Sequence, residues 1–204
     1  MIALTGVTAK VVSSVYVIWV LLALPSVPML SGVVQGGSGE EVVGSSGILS
    51  SFLLIATMSF SPLMAIFPGS RVVAWLLRHR RYFGVASFSY ALVHVVFYFV
   101  GLEGLAALVD DLLAPTLLVG WAAFFIFLPM AATSNRVLTR AMGWKRWKML
   151  QRMVYLSAVL VLAHWVMVEG SPGPFIFFGI LGVLELVRVW RVLARRNTAK
   201  THEA

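Results

Sequence analysis

His94 and His164 are the two histidines of this chain that fall inside apolar runs long enough to cross a bilayer. An ionisable side chain at membrane depth is expensive, and where one persists it marks a functional site by default. The runs that carry them, 84–102 and 151–169, are the third and fifth of the chain and so cross in the same direction. His94 lies ten residues beyond Gly84, roughly 15 Å along a helix, and His164 thirteen beyond Gln151, roughly 20 Å. Two imidazoles at matched depth on parallel helices can grip an iron from both faces of a porphyrin. Ser87, Tyr90 and Ala91 precede His94, and Ser157, Leu160 and Val161 precede His164. Small residues there let a macrocycle approach the backbone, and they equally let helices pack. The residues alone leave two readings side by side: axial ligation of a haem, or two histidines that each hydrogen-bond a neighbouring helix.

Other chemistries find less to work with. The chain has no cysteine, which rules out disulfides, thiolate metal sites, iron–sulfur clusters and the C-x-x-C-H attachment of c-type haem. Any haem is therefore held without covalent bonds. A zinc or copper site lacks a third and fourth ligand inside the membrane. No serine, cysteine or carboxylate constellation suggests catalysis, and no residue is assigned a catalytic role. Glu185, one turn from Arg188, reads as a local ion pair or a pair of snorkelling charges. His79, among Arg78, Arg80 and Arg81, and His202 in the tail both read as solvent-facing.

The elements that must position the two histidines follow from composition. Of 204 residues, 60% are hydrophobic and 12% charged, about half the charge of a soluble domain, and mean hydropathy is +0.92. That describes an all-α integral membrane protein embedded in the lipid bilayer, with no room for a second folded domain outside it. Six apolar segments emerge, at about 11–30, 47–67, 84–102, 115–133, 151–169 and 174–193, forming a single six-helix bundle over 1–204. The first is longer than a signal-peptide core and lacks an A-x-A site, so it reads as an uncleaved helix. The Gly/Ser-rich linker from Ser31 to Ser46 reads as an exposed outer loop.

The net charge of +8 sets orientation and does not call for nucleic acid. All 16 Lys and Arg residues fall at Lys10, in the loop holding Arg71, Arg78, Arg80 and Arg81, in the stretch Arg136–Arg152, or in the segment Arg188–Lys200. Glu40, Glu41, Glu103, Asp110, Asp111 and Glu169 occupy the intervening loops. This is the positive-inside pattern, with both termini cytoplasmic. The stretches Arg71–Tyr82 and Ser134–Leu150 read as short amphipathic helices at the cytoplasmic interface. Trp75, Trp144 and Trp147 there read as membrane anchors, on a surface that could also receive an anionic flavin phosphate or a quinone headgroup.

Three stretches in order carry a family resemblance: FLLIATMSFSPL in the second segment, RRYFGVASFSYALVH entering the third, and TSNRVLTRAMGWKRWKMLQRMVYLSAVLVLAH leading through the fifth. They resemble the ferric-reductase-like transmembrane family, over roughly Gly47 to Val168. The strongest parts are Arg80-Arg81 with His94 thirteen residues after Arg81, and the series Trp147, Leu150, Val154-Tyr155-Leu156, His164. The resemblance implies a six-helix b-type cytochrome of the bacterial inner membrane, with His94 and His164 ligating haem b. It implies a cytoplasmic flavin reductase or quinone as electron donor, FMN as a further cofactor, and a periplasmic molybdenum-containing reductase of methionine sulfoxide as acceptor. Arg80 and Arg81 would neutralise propionates or an anionic cofactor. The family commonly has another histidine thirteen residues before the second ligand, and here that position is Gln151, so a single haem is expected. Two other functions are compatible with a greasy six-helix chain. A haem-containing metal reductase would want an outer metal site, yet the outer loops hold no His or Cys. A non-redox assembly or transport protein would more often show repeats or broken helices.

Overall fold

The computed structural model describes residues 14–102, 104 and 113–202. Lys10, Glu103, Asp110 and Asp111 lie outside the described residues. Every regular element among the described residues is an α-helix, with no strand among them. Helices α1 (Val15–Ala23) and α2 (Ser26–Val34) form one bent pair, at 44° to each other. The break falls at Pro25, which lacks the amide a continuous helix would need. Then come α3 (Gly39–Ile66), α4 (Arg71–Val100), α5 (Pro115–Ala132), α6 (Arg136–Met142), α7 (Trp144–Gln151), α8 (Val154–Glu169) and α9 (Gly173–His202).

Among the described residues, α3, α4, α5 and the Trp144–Glu169 stretch are long and apolar enough to cross a membrane, and the bent pair makes a fifth if its two helices form one broken span and not a re-entrant loop. Residues 174–193 are helical, within α9. Many large apolar side chains point outward, such as Phe125 at 61% exposed and Leu186 at 71%, as they must where the surrounding solvent is lipid. The interior is a small cluster of Leu54, Met58, Phe127, Ala158, Phe178 and Leu181 drawn from α3, α5, α8 and α9.

Two expected boundaries are corrected. The second segment begins at Gly39, not Gly47, so the second half of the Gly/Ser-rich linker is helix, and α2 takes residues from its first half. Glu40 and Glu41 sit in the first turn of α3, where acidic groups oppose the helix dipole. Ser45 and Ser46 turn their hydroxyls back onto the Glu41 and Val42 carbonyls, so their polarity is absorbed by the helix. The third segment begins at Arg71, and the expected interfacial helix 71–82 is its first part. Ser70 caps it by accepting from the Val73 amide. The stretch after α5 does break into short helices, divided at Gly143, whose φ of +77° suits glycine.

The bundle is built from two antiparallel pairs. α3 and α4 pack along most of their length, and Ser50 and Ser87 seal them: each hydroxyl donates to the other residue's carbonyl, at 2.9 and 2.8 Å. α5 and α8 form the second pair. α9 lies against α3, and Arg191 donates to the Ala65 and Ile66 carbonyls at the end of α3. Those carbonyls have no partner within their own helix.

Candidate functional site

Each antiparallel pair contributes one histidine and one backbone carbonyl. His94, on α4, places Nδ1 2.8 Å from the Val43 carbonyl of α3. His164, on α8, places Nδ1 2.9 Å from the Thr116 carbonyl of α5. A carbonyl can only accept, so both Nδ1 atoms carry a proton, and in the neutral ring that tautomer leaves the lone pair on Nε2. A backbone partner on Nδ1 is the usual way to fix the tautomer and orientation of a ligating histidine.

The two rings face each other with centroids 6.2 Å apart and planes at 88°. A metal-bound imidazole nitrogen lies about 2 Å from its metal, so two rings sharing one ion from opposite sides have centroids roughly 6 Å apart. The pair fits that arrangement. Among the described residues no three of His, Asp and Glu cluster to hold a metal, so two axial nitrogens are what this site offers. That donor set suits an iron whose remaining four positions are filled by a porphyrin.

A second feature lies at the basic end of the bundle. A cavity of about 500 Å³ opens between α3, α4, α5, α7, α8 and α9. Its depth is lined by Leu54, Ser87, Phe88 and Phe127, and its mouth by Arg80, Arg81, Lys148 and Arg152. Gln151 lines it too, with its amide donating to the Met130 carbonyl at 3.1 Å. The Trp147 indole N–H is buried there without a partner. Glu185, also at the wall, is paired with Arg188 at 2.8 Å, and Arg188 donates to the Tyr155 hydroxyl at 3.0 Å. The local ion pair expected for Glu185 and Arg188 is present.

The expected site residues thus divide between two places. His94 and His164 come together. Arg80 and Arg81 line the cavity with Gln151, fourteen and thirteen residues before His94, roughly 20 Å along α4. His79 is not solvent-facing as expected: it is 8% exposed, donates from Nδ1 to the Trp75 carbonyl at 2.8 Å, and lies between the tilted Trp75 ring and the Tyr82 ring on which it stacks. Tyr82 in turn meets Trp19 of α1, a contact that local sequence cannot reveal. Trp147 lines the cavity, beyond the anchoring role read for it. The Val43 and Thr116 carbonyls carry no side-chain signal and could not be found from residue types.

Comparison with known proteins places the chain in a family. Residues 46–162 match the model of the ferric reductase like transmembrane component family. A protein-methionine-sulfoxide reductase heme-binding subunit MsrQ from Ralstonia nicotianae is 34% identical, over 86% of this chain and 84% of its own length. Proteins of the same name from Rhodospirillum rubrum and Brucella anthropi are 35% and 31% identical, over 67% and 96% of this chain and 69% and 91% of their own lengths. No solved structure matches the chain.

Proposed function

This chain belongs to the ferric reductase like transmembrane component family, and from that premise we propose that it is a b-type cytochrome of the bacterial inner membrane, carrying electrons from the cytoplasmic side to a periplasmic reductase. The observation that carries the reading is the imidazole pair, 6.2 Å apart with both Nδ1 protons tied to backbone. Haem b supplies one-electron chemistry at its iron. The chain's own part is to hold and orient it. His94 and His164 would hold it through Nε2, and the Val43 and Thr116 carbonyls would make those nitrogens better donors by polarising the Nδ1–H bonds.

The partner reductase is inferred from the relatives' names, which describe subunits of a methionine sulfoxide reductase. We assign this chain a partner of that type, molybdenum-containing and periplasmic. The cavity supports electron entry from a cytoplasmic flavin reductase or a quinone, with FMN as a bound carrier. Its apolar depth suits a flat ring, and Arg80 and Arg81 suit a phosphate or an ionised oxygen. Ser87 lines its depth seven residues from His94, roughly 10 Å along α4. Gln151 offers an amide where the family commonly has a histidine, which supports a single haem.

The proposed topology is one domain over 1–204 with six spans and cytoplasmic termini. It is supported by the meeting of basic residues from α4, α7 and α9 around one cavity, while Glu40, Glu41 and Glu169 sit at the other ends of their helices. A reduced-minus-oxidised visible spectrum of the purified protein tests the central reading. Low-spin b-type bands are expected, and His94→Ala or His164→Ala should each abolish or shift them. Absence of haem bands from protein made with ample haem would overturn it.

A further inference from the structure

α3 and α5 each present a glycine where an imidazole lies against them. A Cβ on Gly47 would stand 2.8 Å from Nδ1 and 3.1 Å from Cε1 of His94. A Cβ on Gly120 would stand 2.9 Å from both Cε1 and Nδ1 of His164. Real Cβ atoms do not approach so closely, so any side chain at either position must push its imidazole aside. Each glycine also follows the accepting carbonyl by four residues, Val43 then Gly47 and Thr116 then Gly120. One helical turn therefore supplies both a hydrogen-bond acceptor for the ring's Nδ1 edge and a bare backbone surface beside the ring. The same device occurs twice, once in each antiparallel pair. Gly44, one turn from Gly47 on α3, and Gly179 on α9 have nothing within 4 Å of such a Cβ. Glycine is unfavourable inside a helix, and at Gly47 and Gly120 alone of these four does the packing require it.

We propose that Gly47 and Gly120 are positioning residues that hold the two imidazole planes crossed, and that this crossing is imposed by the protein on its iron. The proposal rests on the haem reading above. A hydrogen bond at Nδ1 fixes one point of a ring but leaves it free to swing about an axis through that point. Contact with the bare glycine surface removes that freedom, and the outcome is the observed 88° between planes. The angle has an electronic consequence. Parallel imidazoles donate π density to the same iron d orbital and split the d levels strongly. Crossed imidazoles donate to two different orbitals and leave those levels nearly degenerate. The oxidised protein should therefore give a strongly anisotropic low-spin signal dominated by one large g value, in place of a rhombic signal with three resolved values.

Electron paramagnetic resonance of the purified holoprotein, with haem content and helical content measured alongside, tests this. The wild type should show the large-g signal. Gly47→Ala and Gly120→Ala should keep their helical content, yet lose haem or move to a smaller maximal g. Gly44→Ala should match the wild type. A rhombic wild-type signal would overturn the proposal, as would alanine variants with wild-type haem content and an unchanged spectrum. If an alanine variant does not insert, the wild-type spectrum decides alone. A wild type with no haem at all would overturn the haem reading itself, an outcome distinct from haem present with parallel planes.

Discussion

His94 hydrogen-bonds the carbonyl of Val43 at 2.8 Å, and Val43 lies in a stretch whose Gly and Ser content reads as loop. The contact exists because that stretch is the first part of α3, wound tightly enough to point a carbonyl at α4. His164 and Thr116 repeat the relationship between α8 and α5. The tautomer of both rings is thus set by backbone. This explains how two histidines inside a bundle of apolar helices can be aimed without any acidic partner.

Gln151 should matter to stability and not to haem. Its amide donates to the Met130 carbonyl, so Gln151→Ala should lower unfolding free energy by about 1 kcal/mol. Haem-to-protein ratio should stay at one in both proteins, measured by pyridine haemochromogen against amino-acid analysis. A wild-type ratio of two would mean that the cavity holds a second haem despite the glutamine.

The pairing of His94 with His164 was legible because it depends on hydropathy and direction, which survive errors in helix ends. The helical start of α3 was not. Ser45 and Ser46 look like loop residues, and only inside a helix do their hydroxyls find the carbonyls of the preceding turn. The burial of His79 was hidden for a different reason. Its neighbours in sequence are arginines, while Trp75 and Tyr82, one turn away on either side, enclose it, and Trp19 braces Tyr82 from another helix. The cavity was half legible. Its basic mouth shows in the sequence, but the depth beneath it arises from side chains of separate helices, such as Leu54, Phe88 and Phe127.

Ser50 and Ser87 offer a test of how α3 and α4 are joined. Each hydroxyl donates to a backbone carbonyl that remains when the other side chain is removed. Ser50→Ala and Ser87→Ala should therefore each cost about 0.6 kcal/mol, in line with side-chain hydrogen bonds between membrane helices. The double variant should cost the sum to within about 0.3 kcal/mol, although residues in contact usually couple more than that. Unfolding in mixed micelles followed by circular dichroism measures all three, and strong coupling would show that the two bonds act as one unit.

Arg80 and Arg81 should govern electron entry while leaving the iron site alone. Both are exposed at the cavity mouth, so each charge is worth about 1 kcal/mol or less to an anionic donor. Arg80→Gln or Arg81→Gln should then weaken the apparent affinity for a reduced flavin donor by roughly fivefold or less, and added salt should mimic the change. The absorption spectrum should be unaltered in both. Stopped-flow reduction at several ionic strengths checks this, and a spectral change in either variant would place that arginine against the haem.

Trp147 links the stability of the fold to ligand binding in the cavity. Its indole N–H is buried in the cavity wall with no acceptor, a state that costs about 1–3 kcal/mol wherever a polar group is left unsatisfied. Trp147→Phe keeps an apolar ring and removes the stranded donor, so the variant without ligand should be no less stable than the wild type and up to about 1 kcal/mol more so. If a cavity ligand normally supplies the missing acceptor, the same change should weaken its binding by roughly tenfold. FMN titration followed by quenching of flavin fluorescence gives the second number and thermal unfolding in detergent the first. Opposite signs for the two effects are the signature of a donor kept for a ligand. Weakened stability with unchanged FMN affinity would instead make Trp147 a packing residue.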